Sequence, residues 1–324
     1  MISKKYEYIV VGSGAGGACI SNELAKKGKS VLIIEKGEVE KKLGTFKDAV
    51  RVYDGNKLTK IPKKSKEGVI IYRAFMAGGT TMVSMANGVR SLEKELLTHK
   101  IVLDDEFAEC ERELGVKEIP DALISKGGLI LKEAAQSLGY NFKNMPKFVD
   151  VEKCKSCGHC SMGCFNEAKW TSYNHLVDAQ KFGADAIFNS EVEKVIIDHG
   201  KSKGVIVRNN NQTMNIESDF VIIAAGGIGT PVILQNSGLS DAGTNLFIDI
   251  LVNTYGVTER IGMVNEPQMS LVNLDFHEED GFLLSSYIQP SREIRLIELG
   301  VGGYTMPTNR MIGIMTKISD EPSG

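Results

Sequence analysis

Apolar residues run together at Tyr6–Val11, stop at Gly12 and resume at Val31–Ile34 within "YEYIVVGSGAGGACISNELAKKGKSVLIIEKG". Continuous apolar runs of this length predict strands covered on both faces. Between them Ile20 and Leu24 lie four apart, predicting a helix with one inward face, and Gly28 stands where that helix should stop. Helical spacing returns in "DDEFAECERELGV" and "KGGLILKEAAQSLGY". From Gly183 the pattern changes again. "GADAIFNSEVEKVIIDHGKSKGVIVRNNNQTMNIESDFVIIAAGGIGTP" predicts three short strands with polar turns, then a very apolar strand ending in glycines. No internal repeat or low-complexity tract is visible.

The glycines turn the first pattern into chemistry. Gly12, Gly14 and Gly17 form G-x-G-x-x-G between the first strand and the helix. The first allows a tight turn, the second lets backbone approach a pyrophosphate, and the third brings helix and strand close. Amide N–H groups and partial positive charge at the helix start would receive that pyrophosphate. Glu35 ends the second strand, where a carboxylate accepts hydrogen bonds from ribose hydroxyls. A nicotinamide-binding domain would continue with further strand–helix–strand units. Here a charged, irregular segment follows instead, its lysines between Lys57 and Lys66 expected on a solvated loop. Met76, Met82 and Met85 read as adaptable packing.

With 324 residues, 42% hydrophobic and 24% charged, the chain can bury a sizeable core in one large or two smaller domains. A net charge of −3 gives no reason to expect nucleic acid or an anionic membrane. No run approaches the ~18–20 apolar residues of a membrane span, and the glycine-broken start does not read as a signal peptide. A cytoplasmic location is therefore expected, where clustered thiols favour metal or redox chemistry over disulfides.

Such a cluster exists. Cys154, Cys157, Cys160 and Cys164 are spaced C-x2-C-x2-C-x3-C, the spacing of bacterial ferredoxins. Gly158 and Gly163 suit the turns that aim thiolates inward. Phe165 replaces the proline that follows such a run, and no second run exists. The expectation is one iron–sulfur cluster, [4Fe-4S] on all four thiolates or [3Fe-4S] on three. Structural zinc and a metal-free loop are the alternatives. His159 is read as lying outside the ligand set, Cys110 as an ordinary helix thiol and Cys19 as a buried one.

The chain resembles the glucose–methanol–choline (GMC) oxidoreductases. The matching stretches are "VVGSGAGG" with Glu35, "AGGTT" at Ala77–Thr81, "GADAIFNSEVEKV" and "VIIAAGGIGTPVILQNSGL". The likeness covers roughly residues 5–250 and is looser from 251 to 324. It implies FAD, with Gly12, Gly14 and Gly17 on the pyrophosphate and Glu35 on the adenosine ribose. It further implies Gly79 and Thr80 on the flavin side, backbone of Val192 at the adenine, and the Ala225–Gly226 turn closing over the cofactor. The implied fold is α/β. It comprises a Rossmann-type, glutathione-reductase-like FAD domain (1–90 and 176–250), a helical Cys-rich insertion (91–175) and a partial α+β substrate domain (251–324). In that last part "NLFIDILVNTYGV" and "NRMIGIMTKISDE" fit sheet strands. The Cys run is similar to one in FAD-dependent sugar dehydrogenases of the family, where C-x5-C-x3-C holds an iron–sulfur cluster. Cys154, Cys160 and Cys164 reproduce it. "GCFNEAK" is also similar to a stretch of the family's long-chain alcohol oxidases, which keeps a cluster-free reading open.

The resemblance implies oxidation of a small alcohol-type substrate, with hydride passing to the flavin and electrons leaving through the cluster. The family's histidine base lies in a pattern like His-x-x-Gly-Thr. None of His99, His159, His175, His199 and His277 stands in that context, so no catalytic residue is assigned. A companion subunit carrying that segment or accepting electrons is one expectation. The alternatives are a reductase and a flavin/iron–sulfur electron-transfer subunit that needs a companion chain.

Overall fold

The computed structural model describes residues 5–40, 42–55, 63–210, 212–259 and 261–321, so Lys57 and Lys60 of the expected basic loop lie outside the described residues. The first third of the chain holds β1 (Tyr6–Val11), α1 (Ala15–Lys26), β2 (Val31–Ile34), α2 (Phe46–Val52) and α3 (Glu93–Thr98). Then come α4 (Asp104–Leu114), β3 (Lys117–Glu118), α5 (Lys126–Ser137), β4 (Lys143–Asn144), β5 (Pro146–Lys147) and α6 (Ser172–Lys181). A strand-rich run follows: β6 (Asp185–Ile187), β7 (Ser190–Asp198), β8 (Lys201–Asn209), β9 (Gln212–Ile223) and α7 (Gly226–Asn236). The remainder is β10 (Ile250–Val257), β11 (Leu271–Asn273), β12 (Phe282–Ser286), α8 (Arg292–Leu299), α9 (Val301–Thr305) and β13 (Met311–Ile318).

Six strands form one sheet in the order β6-β2-β1-β9-β8-β7. The continuous apolar runs occupy its centre, where Ile9, Val10, Leu32 and Ile33 are inaccessible to solvent. They are buried on both sides because α1 and α6 cover one face with Ala18, Ala25, Leu176 and Ala179. The other face is covered by Val192, Val195, Val205, Val207 and Ile216 of the β7–β9 strands and by Ile233 of α7. β9 is a single twelve-residue strand. Its first half pairs antiparallel with β8, and from Ser218 it runs parallel to β1, because nothing in "MNIESDFVII" breaks the chain.

A second, antiparallel sheet has the order β10-β13-β12-β11-β4, so a two-residue strand from the helical segment joins strands from the end of the chain. Met145, Met269, Val272, Tyr287 and Met315 pack beside it. The two expected helices appear as α4 and α5. Met76 is fully buried, as a packing residue should be.

Cys19 differs from expectation: it is exposed. The fully covered face of α1 is Gly17, Ala18, Ser21, Asn22 and Ala25, and the helix turns about 100° per residue, which carries position 19 away from the sheet. Ile20 and Leu24 pack at the edge of that face. Among the described residues no helix is long and apolar enough to cross a membrane.

A glycine-lined cavity and a tyrosine-ringed carboxyl

β1 delivers its chain into a turn that only small residues can make. A methyl group on Gly17 would lie 2.0 Å from the Gly12 carbonyl oxygen, so α1 sits directly against the end of β1. Gly14 caps α1, and a methyl group there would meet no protein atom within 4 Å. The first turn of α1 therefore faces open space. Gly79, at φ 55°, approaches the same point from the other side, its added Cβ falling 2.8 Å from the Gly14 Cα.

The space is a cavity of about 1070 Å³ lined by Gly12, Gly14, Glu35, Gly79, Thr80, Val192, Ala225 and Gly226. Those are all the sequence-nominated cofactor residues except Gly17, which lies beneath it and sets the helix–strand distance. Glu35, 6% exposed, does more than line the wall. One carboxylate oxygen accepts from the Ser13 amide at 2.9 Å and its hydroxyl at 2.7 Å, and the other from the Gly37 amide at 2.8 Å. Ser13 Oγ in turn accepts from the Gly78 amide at 3.1 Å. Glu35 thus ties the glycine turn to the end of β2 and, through Ser13, to the loop that carries Gly79. Val192 precedes a β-bulge in β7, where the register against β8 shifts between Val192 and Lys194. Gly226, at φ 77°, opens α7 beside the cavity.

The protein groups around this space fit a dinucleotide such as FAD. Two glycines leave room for a pyrophosphate over a helix N-terminus, and a buried carboxylate stands at the tip of the second strand.

The cysteine loop touches the turn that begins at Gly79 through Cys160–Met162. Ser156, Gly158 and Gly163 take positive φ and fold the loop back on itself. Ser161 anchors it, its amide donating to Gln268 Oε1 at 2.7 Å and its carbonyl accepting from the Tyr53 hydroxyl. His159 Nδ1 lies 3.2 Å from the Gly44 carbonyl oxygen, outside any ligand set. Burial pushes the Cys154 and Cys157 thiols up, and neighbouring thiols of the loop push them further. The expected ligand set of Cys154, Cys157, Cys160 and Cys164 is nevertheless not assembled. Among the described residues no three His, Cys, Asp or Glu side chains converge as metal ligands. At Cys154 and Cys157 burial favours the protonated thiol, so packing sets the directions of these two side chains.

Two buried lysines border this loop. Lys147 Nζ donates to the carbonyls of Met85 and Gln268 at 2.8 and 2.9 Å and to Asn87 Oδ1 at 2.6 Å. Lys169 Nζ donates to the carbonyls of Met82, Ser84 and Cys160 at 3.0, 2.6 and 3.1 Å. Burial lowers both to about 8, with Cys160 among the groups opposing the shift. Sequence reading missed them. The lysine of "NEAK" was visible as part of a pattern, but nothing in that pattern shows that it is buried.

A further group missed in the sequence is Glu298 on α8. The Tyr255 hydroxyl donates to its Oε2 at 3.1 Å, and the Tyr72 phenol lies near the same carboxyl. Burial pushes Glu298 up to about 7, the two phenols opposing the shift. Between its ordinary value of 4.5 and about 7 the folded state keeps a proton that the unfolded chain has lost. Stability should therefore fall as pH rises through that window. Glu298→Gln is expected to remove the decline, leaving the variant about 2 kcal/mol more stable than the parent at pH 8 and equal to it near pH 4, as read from urea midpoints. Parallel pH profiles would refute this.

Among the described residues no histidine lines the cavity. His175 is buried beside Trp170 with Nδ1 3.2 Å from Asn22 Nδ2, His277 lies beside Glu278, and His199 is almost fully exposed.

A family profile described as GMC oxidoreductase matches residues 6–251. An uncharacterized GMC-type oxidoreductase of Mycobacterium tuberculosis is 29% identical over 303 residues, 87% of this chain and 48% of the relative. The chain thus spans about half the length of that protein. An uncharacterized protein of Methanocaldococcus jannaschii is 27% identical over 98% of this chain and 74% of its own. A long-chain-alcohol oxidase of Arabidopsis thaliana is 24% identical over 97% and 45%. Among solved structures, pyridoxine 4-oxidase from Mesorbium loti aligns with a TM-score of 0.68 at 11% identity, covering 97% of this chain and 71% of that one. A formate oxidase of Aspergillus oryzae aligns at 0.64 and 15% identity, covering 99% and 73%. These two likenesses carry the fold.

Proposed function

The chain belongs to the GMC oxidoreductase family, and from that premise we propose that it holds FAD in the glycine-lined cavity and oxidises a small alcohol-type substrate. The observation that carries the reading is the meeting of Gly14, Gly79 and Glu35 in one cavity, although they lie on three separate segments. The first turn of α1 would receive the pyrophosphate, Glu35 the ribose, and the Gly79–Thr80 turn the flavin side. Bound FAD would supply a two-electron acceptor for hydride from the substrate carbon. The protein's part is to fix both partners and keep water away.

A second element concerns the cysteine loop, proposed as an iron–sulfur site. It is supported by the spacing of Cys154, Cys157, Cys160 and Cys164 and by the ammonium groups of Lys147 and Lys169, which an anionic thiolate centre would offset. Metal uptake would have to draw the four thiols together.

One preparation tests both. Protein reconstituted anaerobically with FAD, iron and sulfide should retain one flavin per chain, and a primary alcohol should bleach it. A colourless protein would end the flavin reading. Flavin without iron or acid-labile sulfide would end the cluster reading alone. Bound flavin that no alcohol reduces would favour the electron-transfer or reductase alternative.

A further inference from the structure

β10 ends the second sheet, and among the described residues no strand pairs with its outer edge. Sheet edges are commonly guarded by lysine, proline, a bulge or shortness, because bare N–H and C=O groups recruit other strands. The opposite edge, β4, is only two residues long. β10 has none of these guards. Its eight residues, "ILVNTYGV", carry no charge and no proline, and their register against β13 runs from Ile250 to Val257 without a shift. Leu251, Val252 and Val257 are 42%, 48% and 46% exposed. More exposed apolar surface adjoins them: Phe247 precedes the strand, Ile261 follows it, and Ile318 lies opposite its first residue.

A polar signal points to the same edge. Asn253 Oδ1, in the middle of β10, and Thr258 Oγ1, just past it, are buried and have no hydrogen-bond partner among the described residues. A buried oxygen left alone is costly, so such atoms mark places where a partner is missing.

We propose that β10 is a self-pairing edge, at which two copies of this chain join antiparallel across a two-fold axis through Asn253. The two five-stranded sheets then merge into one. Chemistry selects a second copy as the occupant. A carboxamide is both donor and acceptor, so Asn253 facing its own copy gives each Oδ1 an N–H from the other. The same register sets Leu251 opposite Tyr255 and Thr258 opposite Ile248, whose backbone can serve the threonine hydroxyl. An uncharged strand also brings no like charges face to face when it meets itself. The six apolar residues named above expose about 500 Å² in one copy, so closing the edge would hide roughly 1,000 Å² in the pair, the size a specific interface needs. The contact is isologous and closes at two chains.

Sedimentation velocity on the full chain, with and without FAD, tests this between about 1 and about 100 µM. The mass should rise toward that of two chains. Hydrogen exchange should slow at the β10 amides over the same range and stay unchanged at β4. Asn253→Asp keeps the side chain's shape but sets two carboxylates against each other. Its dissociation constant should rise at least tenfold at about pH 8 and fall back toward the parent's near pH 4, where the pair can share a proton. Val252→Lys guards the edge and should raise the constant at least tenfold at either pH. Urea midpoints show whether both variants fold. A parent that stays monomeric, or a dimer that neither variant weakens, would overturn the inference. If both variants fail to fold, β10 amides that exchange equally fast in dilute and concentrated parent overturn it. Protection of β10 by a strand of a different protein, and not by a second copy, overturns it as well.

Discussion

Gly17→Ala should yield a chain that neither retains flavin nor unfolds cooperatively at the parent's midpoint. The added methyl would lie 2.0 Å from the Gly12 carbonyl oxygen and 3.2 Å from the Ala224 Cβ. None of these atoms belongs to a flexible side chain, so α1 must leave β1 or the glycine turn must open. Either movement breaks the close approach on which the cavity depends. Overpacking of this kind costs on the order of 1–3 kcal/mol, and backbone that cannot move raises the figure. Gly14→Ala is the comparison that gives the result meaning. Its methyl meets no protein atom within 4 Å, so the fold should survive with its midpoint nearly unchanged. The methyl would instead enter the space where a pyrophosphate lies, and flavin per chain should drop at least tenfold. Flavin content and urea midpoints, measured on both variants, separate the two effects. Full flavin in Gly14→Ala would show that the cofactor lies elsewhere.

Arg295→Leu should lower stability by about 3–5 kcal/mol. The guanidinium is wholly buried, yet only carbonyl and hydroxyl oxygens surround its donors. It gathers the carbonyls of Gln289, Pro290, Gly303 and Met306 and the hydroxyl of Thr308, five acceptors from a segment of twenty residues that winds around α8. Leucine fills much of the volume but leaves those oxygens without donors in a site closed to water, the costly half of removing a buried hydrogen-bonded group. Lysine cannot serve all five, so Arg295→Lys should recover only part of the loss. A shift in the urea midpoint equivalent to less than 1 kcal/mol for Arg295→Leu would contradict this account.

The α/β architecture was legible because its signals are contiguous. Gly12, Gly14, Gly17 and Glu35 lie on one strand–helix–strand unit, and their spacing alone fixes their geometry. The resemblance added Gly79, Thr80, Val192, Ala225 and Gly226, which spacing could not have joined to the first set, and the fold brings both sets, Gly17 excepted, to one cavity. Charged residues were harder to read. Lys147 and Lys169 look like surface residues in a sequence, and their burial comes from segments distant along the chain. Lys147, for example, is held by oxygens near residues 85 and 268. The cysteines show a different limit. Their spacing places four thiols in one loop but does not dictate where each sulfur points, and at Cys19 helix phase decided exposure.

The position of β9 bears on how the molecule comes into being. β1 is the inner strand between β2 and β9, and Val10 pairs with Ile222. A ribosome must release two thirds of the chain before the oily centre of the sheet can close. Until then the first strand emerges with one edge bare, and joining partners so far apart is slow because the intervening chain must first surrender its freedom. Nascent copies thus pass through a sticky adolescence, during which encounters with other chains compete with self-completion.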